Sequence, residues 1–461
     1  MIENVLASRY SCDEITLIFD RENRYKLERE FWIAVLKLQM QHGLKVPSDA
    51  IEAYEKVKDQ INLEAIDNRE FELKHDVKAR IEEFNHLAGY EYIHIGLTSR
   101  DLTENIELFQ IRTGLIHIRA KSLLLLKILG EKINQYKSVE YVARTHNVPA
   151  QLSTLGKRFS VVAEELISAI AKLELEISNL KFRGLKGAIG SASDLSTFFN
   201  ERQIEEIEIQ LAKKYGFENL MSSVGQVYPR SYDFSFVSTL VQIASSMDNF
   251  ALSFRLMAGH GFVSEGFSKS QVGSSAMPHK KNARTAERIN GLSVVLRGYC
   301  NMAMSISGNQ WNEGDVSCSV VRRVLIPDSF FAIDGILNSA INLLQGMIVN
   351  EQALSIEVEK ELPSLISSRL LMESVKNGVG REVAHTKIKE IVLRYGHNLN
   401  KFKTEITEEK IIKINEVTFN DILSSKKDFL ISAKRHSDAI EQFIHAQTST
   451  IKSDKSNFHI R

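Results

Sequence analysis

Leu155, Phe159, Val162, Leu166, Ala169, Leu173, Ile177 and Leu180 recur at steps of three and four. Apolar side chains placed this way over about 26 residues leave one regular structure open, an amphipathic helix roughly 39 Å long. A second stripe runs through Phe236, Leu240, Ile243, Met247, Phe250, Phe254 and Met257, and weaker ones follow around 285–306 and 328–350. Little in the chain interrupts them. A proline inside a helix costs ~3 kcal/mol or more, and there are only six prolines in 461 residues. The pattern predicts an all-α protein built on a bundle of long helices. One chain of this size cannot bury both faces of such helices, so self-association is expected.

Softer features divide the chain. Shorter helical segments with polar connections such as "KVPSDA" fill residues 1–113, the long stripes occupy 114–360, and "KELPSLI" around Pro363 reads as a break before a charge-rich region, 361–461. Three helical domains are expected, the central one longest.

Charge and cysteine content exclude several functions. With 58 basic and 58 acidic residues the net charge is zero, so the chain has no general field for nucleic acid or an anionic membrane, and an anionic ligand must be met by local charges. No run of eighteen uncharged apolar residues spans a bilayer. The opening stretch has the pattern of neither a secretion signal nor a transit peptide. Cys12, Cys300 and Cys318 lie too far apart in sequence for a disulfide framework or a metal-ligand motif. The expectation is a cytoplasmic protein.

Pro149, Pro229 and Pro278 fall in polar segments beside the predicted bundle helices: "ARTHNVPAQLSTLGKRF", "SSVGQVYPRSY" and "GSSAMPHKKN". Rigid rods with polar corners are what a site needs when rods fix geometry and loops supply groups, although ordinary turns give the same spacing. His146 could deliver a proton near neutral pH if a carboxylate such as Glu287 held it charged. Alone, His146 reads rather as a turn or capping residue, and spacing alone makes Glu287 a solvated surface group. Ser274 and Ser275 lie on a glycine-rich segment without apolar periodicity, the profile of a lid or of a linker. Next to them, Met277-Pro278 forms a stiff corner presenting Lys280 and Asn282, a cation and an amide suited to stabilising developing negative charge.

The run Ser274-Ser275-x-Met277-Pro278-x-Lys280-x-Asn282 resembles the signature of the fumarase/aspartase superfamily, whose members release fumarate by β-elimination. Within it the chain resembles the adenylosuccinate lyase family over nearly its whole length, through "SRYS", "KHDVKARIEEF", "YIHIGLTSRDLTEN", "ARTHNVPAQLSTLGKR", "FRGLKGAIGSAS", "VGQVYPRSY" and "SCSVVRRVLIPDS", in that order. The resemblance implies a homotetramer around a central helical bundle, each active site drawn from three subunits, a small nucleotide substrate, and no metal or organic cofactor. It implies elimination of fumarate from adenylosuccinate, giving AMP, and from succinylaminoimidazole carboxamide ribotide.

Carried over by residue, Ser274 matches the general base, His146 the general acid, Glu287 its carboxylate partner, and Lys280 and Asn282 the donors to the dianionic intermediate. His75, with Asp76 beside it, and His94 match pocket residues. Thr98 and Ser99 match succinyl contacts; Gln226, Ser275 and Met277 match substrate contacts; Arg9, Tyr10, Ser319 and Arg323 match the phosphate site.

The chain departs from the family at Gly314, where an arginine touching the phosphate is usual. A charge-assisted hydrogen bond is worth ~1.5–3 kcal/mol, so phosphate binding is expected to suffer unless Arg322 or another cation substitutes, and Gly314→Arg is expected to restore it. Cys318, Val148 and Ala283 also depart. Two alternatives stay open: a paralogue that eliminates fumarate from a different N-substituted aspartate, and a catalytically silent helical scaffold.

Overall fold

The computed structural model describes residues 3–266, 277, 282–315, 317–424 and 426–449. Six helices come first: α1 (Val5–Arg9), α2 (Asp13–Phe19), α3 (Arg21–Gln41), α4 (Ala50–Val57), α5 (Leu63–Leu73) and α6 (Asp76–Ala88). Side chains mark several of their starts, with Asn4, Asp20, Asn62 and His75 accepting hydrogen bonds from the first-turn N–H groups of α1, α3, α5 and α6. Then come α7 (Ser99–Tyr136), β1 (Glu140–Thr145), β2 (Val148–Thr154), α8 (Leu155–Asn179), α9 (Glu201–Lys214), α10 (Ser231–Gly259), β3 (Val263–Ser264), α11 (Arg284–Ile306), α12 (Ser317–Gly346) and β4 (Ile348–Val349). The chain continues through α13 (Glu351–Lys376), α14 (Arg381–Tyr395), α15 (Leu399–Glu408), α16 (Glu416–Ser424) and α17 (Lys426–Thr448).

The bundle is a ring of packed pairs: α7 on α8, α8 on α10, α10 on α11, α11 on α12 and α12 back on α7. The stripes read from sequence are its inner faces, since Phe159, Leu166, Leu173, Phe236, Leu240, Ile243 and Phe250 are all buried in one continuous core. In α12 every residue from Ser329 to Ile341 is buried, the mark of a helix enclosed on all sides. That helix is long and apolar enough to cross a membrane, with 83% of its most apolar window buried inside the protein; its apolarity is that of a core helix. Outer faces keep Val161, Leu175, Leu252, Leu256, Val294 and Val320 exposed.

Both proposed breaks fall inside helices. α7 runs unbroken through residue 113, and Pro363 lies within α13, as Pro327 lies within α12. Packing of both helix faces outweighs the local cost of proline here, so proline did not mark the boundary. A second core nevertheless forms between Leu362 and Ile422, while α17 returns to α7 and α8 and adds Ile444 to the main core.

The segment around His146 corrects the reading of a polar corner at a helix edge. Residues 140–154 pair as an antiparallel hairpin, Glu140 opposite Thr154 and Thr145 opposite Val148. Its two-residue turn is His146-Asn147, both with positive φ, 52° and 62°. Two successive residues in that region make the turn whose twist matches the flanking strands. With 72% helix and 4% strand, the protein remains all-α.

Candidate active site

A cavity of ≈ 570 Å³ opens where five pieces of chain meet, Arg24 of α3 forming part of its wall. The α5–α6 junction supplies Lys74, His75 and Asp76, the first turns of α7 supply Ser99 and Arg100, the loop before α10 supplies Gln226, and the start of α12 supplies Ser319 and Arg323. Lys74 ends α5 in a left-handed conformation, φ 54°. The chain then turns at once into α6, where His75 Nδ1 accepts from the Lys78 N–H at 3.2 Å; its proton therefore sits on Nε2. Burial pushes the Asp76 carboxyl up, but Arg80, the Val77 N–H, Arg323 and Arg24 outweigh it and hold it below the usual carboxylate range. Ser319 Oγ accepts from Arg100 Nη2 at 2.6 Å.

Behind this cavity lies a buried ion-pair network that the sequence reading missed. Arg322 donates to Asp233 at 2.7 Å, to Glu107 at 2.6 Å and to the Tyr228 hydroxyl. Arg230 pairs with Glu104, whose other oxygen accepts from the Tyr228 N–H at 2.9 Å. Burial pushes Glu107 up, yet Arg322, Arg24, Arg100 and Arg230 bring it down to about 2. Arg322 is thus already committed to two carboxylates and a phenol, and it is not the replacement cation for the position held by Gly314. The available signal was Asp101, Glu104 and Asn105 at helical spacing on the same face as the buried Leu108 of α7: charged groups on a core face need partners.

One arm of the network positions Gln226. Arg183 joins Asp101 at 2.6 Å and donates to the Gln226 carbonyl at 2.7 Å. Asp101 also accepts from the N–H groups of Lys186, Gly187 and Thr98. The Gln226 N–H donates to the Glu313 carbonyl at 2.6 Å, which presses two loops together. A Cβ at Gly314 would meet Gln226 Cβ at 2.8 Å and Oε1 at 3.0 Å. The arginine expected to restore phosphate binding would displace Gln226 first. Gly314→Ala is accordingly expected to destabilise the fold through an overpacking cost of ~1–3 kcal/mol; an unchanged thermal midpoint would show that the loops yield.

The remaining sequence candidates stand outside this cavity. Thr98 begins α7, its N–H and hydroxyl both donating to Asp101 Oδ2. His94, at φ 64°, accepts from Trp32 Nε1 at 3.0 Å. Burial pushes its imidazole down from 6.5 to about 4, so it is neutral in the fold at pH 7. With the folded value below the unfolded one, His94 contributes stability above pH 6.5 that is lost as pH falls toward 4. His94→Gln, which keeps an acceptor for Trp32, is expected to flatten this loss in thermal midpoints measured between pH 7 and pH 4; identical pH profiles would refute it.

His146 is exposed at the hairpin tip, and the hairpin packs on α8, α13 and α17. Glu287 is exposed in the first turn of α11. No hydrogen bond or ion pair among the described residues joins His146 to Glu287. Arg9 and Tyr10 form a third group, with the Arg9 and Arg288 guanidinium carbons 5.9 and 5.7 Å from the Tyr10 ring centre. Met277 is 43% exposed and Asn282 half-buried; Ser274, Ser275 and Lys280 lie outside the described residues. Apart from Thr98, His94 and Met277, the described candidates fall into three groups within one chain: the cavity, the hairpin tip, and the α1–α11 junction.

Cys12, His117 and Asp334 place possible metal ligands within 4.8 Å of one another. The Lys121 ammonium is already there, bonded to Asp334, to Asn338 Oδ1 at 2.8 Å and to Cys12 Sγ at 3.2 Å. Burial, then Asp334, pushes the Cys12 thiol up to about 12. These groups form a buried ion pair with a protonated thiol beside it.

A helical bundle of this kind is the architecture of known lyases and cycloisomerases. The fold is shared with a 3-carboxy-cis,cis-muconate lactonizing enzyme from Pseudomonas putida, at TM-score 0.85 and 19% identity over 97% of this chain and 100% of that one. It is shared equally with a fumarate lyase from Mesorhizobium sp. BNC1, at TM-score 0.82 and 18% identity over 95% and 99%. A family profile described as "Lyase" matches residues 16–298, and the chain belongs to that family, within the fumarase/aspartase superfamily. Its curated relatives include the adenylosuccinate lyases of Caenorhabditis briggsae, 31% identical over 85% of this chain and 83% of the relative, and Schistosoma mansoni, 29% over 84% and 82%. That of Archaeoglobus fulgidus is 27% identical over 96% and 99%.

Proposed function

We propose that this chain eliminates fumarate from adenylosuccinate, giving AMP, and from succinylaminoimidazole carboxamide ribotide, giving the free carboxamide. The observation that carries this reading is the convergence of His75, Asp76, Ser99, Gln226, Ser319 and Arg323 in one cavity, from four segments whose motifs match adenylosuccinate lyases. In the proposed reaction Ser274 takes the proton from the carbon beside a succinyl carboxylate. That carbon acid is very weak, so the dianion must be met by fixed donors, the role of Lys280 and Asn282. His146 protonates the leaving nitrogen, with Glu287 as its carboxylate partner from another subunit. Thr98 and Ser99 hold the succinyl group, with His75 and His94 beside it and Gln226, Ser275 and Met277 completing the pocket. Arg9, Tyr10, Ser319 and Arg323 hold the phosphate.

The proposal includes a cytoplasmic homotetramer and three helical regions, the divisions near 113 and 360 being ones that α7 and α13 cross as continuous helices. Three separated groups in one chain are what composite sites require, and the apolar side chains left exposed on α8, α10 and α11 offer the surfaces. Ultraviolet assay of both purine substrates, with fumarate detected independently, tests the reaction. Inactivity on both would overturn it in favour of a paralogue with another leaving group.

A further inference from the structure

The cations that line the cavity differ in how far their charge is already used. Arg322 is held by Asp233 and Glu107, and Arg24 by Glu28 at 3.2 Å and Glu107 at 3.5 Å. Arg323 is 67% exposed and 3.4 Å from Asp76. The Lys74 ammonium rests 3.9 Å from the Phe71 ring centre. Arg100 is different: it is half-buried, makes no ion pair among the described residues, and gives one N–H to Ser319. A guanidinium carries five N–H donors in a planar fork, and although its charge also helps hold Glu107 ionised, most of these donors remain open to the cavity.

We propose that Arg100 is the specificity-determining cation for the phosphate of a nucleotide substrate, acting with Ser319 and Arg323. The inference rests on the proposed purine reaction for the nature of the ligand. Ser319 accepts from Arg100, which leaves its own hydroxyl proton to donate outward. Arg323 lies one turn further along α12 on the same face. The three groups line one cavity, from α7 and α12, a set of donors that suits a tetrahedral dianion, and arginine binds phosphate oxygens bidentately. Arg100 thereby fills the need for a cation that Arg322 cannot meet.

Calorimetric dissociation constants for AMP and for adenosine, on wild type, Arg100→Met and Arg100→Lys, test the assignment. Arg100→Met is expected to weaken AMP by roughly tenfold to a hundredfold, with adenosine unchanged, KM for adenylosuccinate raised to match and kcat little altered. Arg100→Lys is expected to recover part of the loss. Equal weakening of AMP and adenosine would overturn the proposal in favour of a structural role. AMP unchanged while fumarate binding weakens would overturn it in favour of a carboxylate contact. A wild type that binds AMP no tighter than adenosine would also overturn it. If AMP binding depends on Arg100 yet adenylosuccinate is not cleaved, the phosphate contact stands and the proposed reaction falls.

Discussion

Replacing Ser274 with alanine is expected to lower kcat by about two to four orders of magnitude, the range of general acid–base catalysis, while KM for adenylosuccinate stays nearly unchanged. The split follows from the proposed chemistry. A base that acts only as the C–H bond breaks adds nothing to ground-state binding, whereas Gln226, Ser319 and Arg323 are proposed to touch groups that do not react. The same logic separates Ser274 from Arg100, whose replacement is expected to act on KM. Single-turnover fumarate release by Ser274→Ala decides the matter, and a variant keeping more than about a tenth of the wild-type rate would remove Ser274 from the role.

Mixing two dead variants should restore activity. His146 stands at a hairpin tip, away from the cavity lining and from Glu287, so the proposed acid meets its proposed carboxylate partner only if another subunit supplies one of the two. His146→Ala and Ser274→Ala chains, each inactive, are expected to regain up to about a quarter of wild-type activity when dissociated, mixed in equal amounts and reassembled. With random assembly each site draws either intact residue with a probability of about one half. Verified mixed tetramers without recovery would show that each site is built within one chain.

Phe236, Leu240 and Ile243 could be placed on one buried face because periodicity is local: the side chain of residue i must point where residues i+3 and i+4 point. For the same reason the stripes at 155–180 and 236–257 gave the bundle helices within a few residues. The His146 hairpin was written in the sequence too, as two strand-forming runs around a two-residue turn, but the helical context obscured it. Pro363 misled in the opposite direction, because whether a helix survives a proline depends on the packing around it.

The sequence by itself determined the helical class, the motifs and the candidate chemistry. Only the tertiary structure decided which charges remain available for a ligand. Arg322, Arg323 and Arg100 are alike as letters. The fold buries the first between Asp233 and Glu107, exposes the second beside Asp76, and leaves the third inside a cavity with one hydrogen bond, to Ser319, and no ion pair among the described residues. Coulomb interactions fall with distance and strengthen with burial, and both quantities exist only after residues far apart in the chain have been brought together.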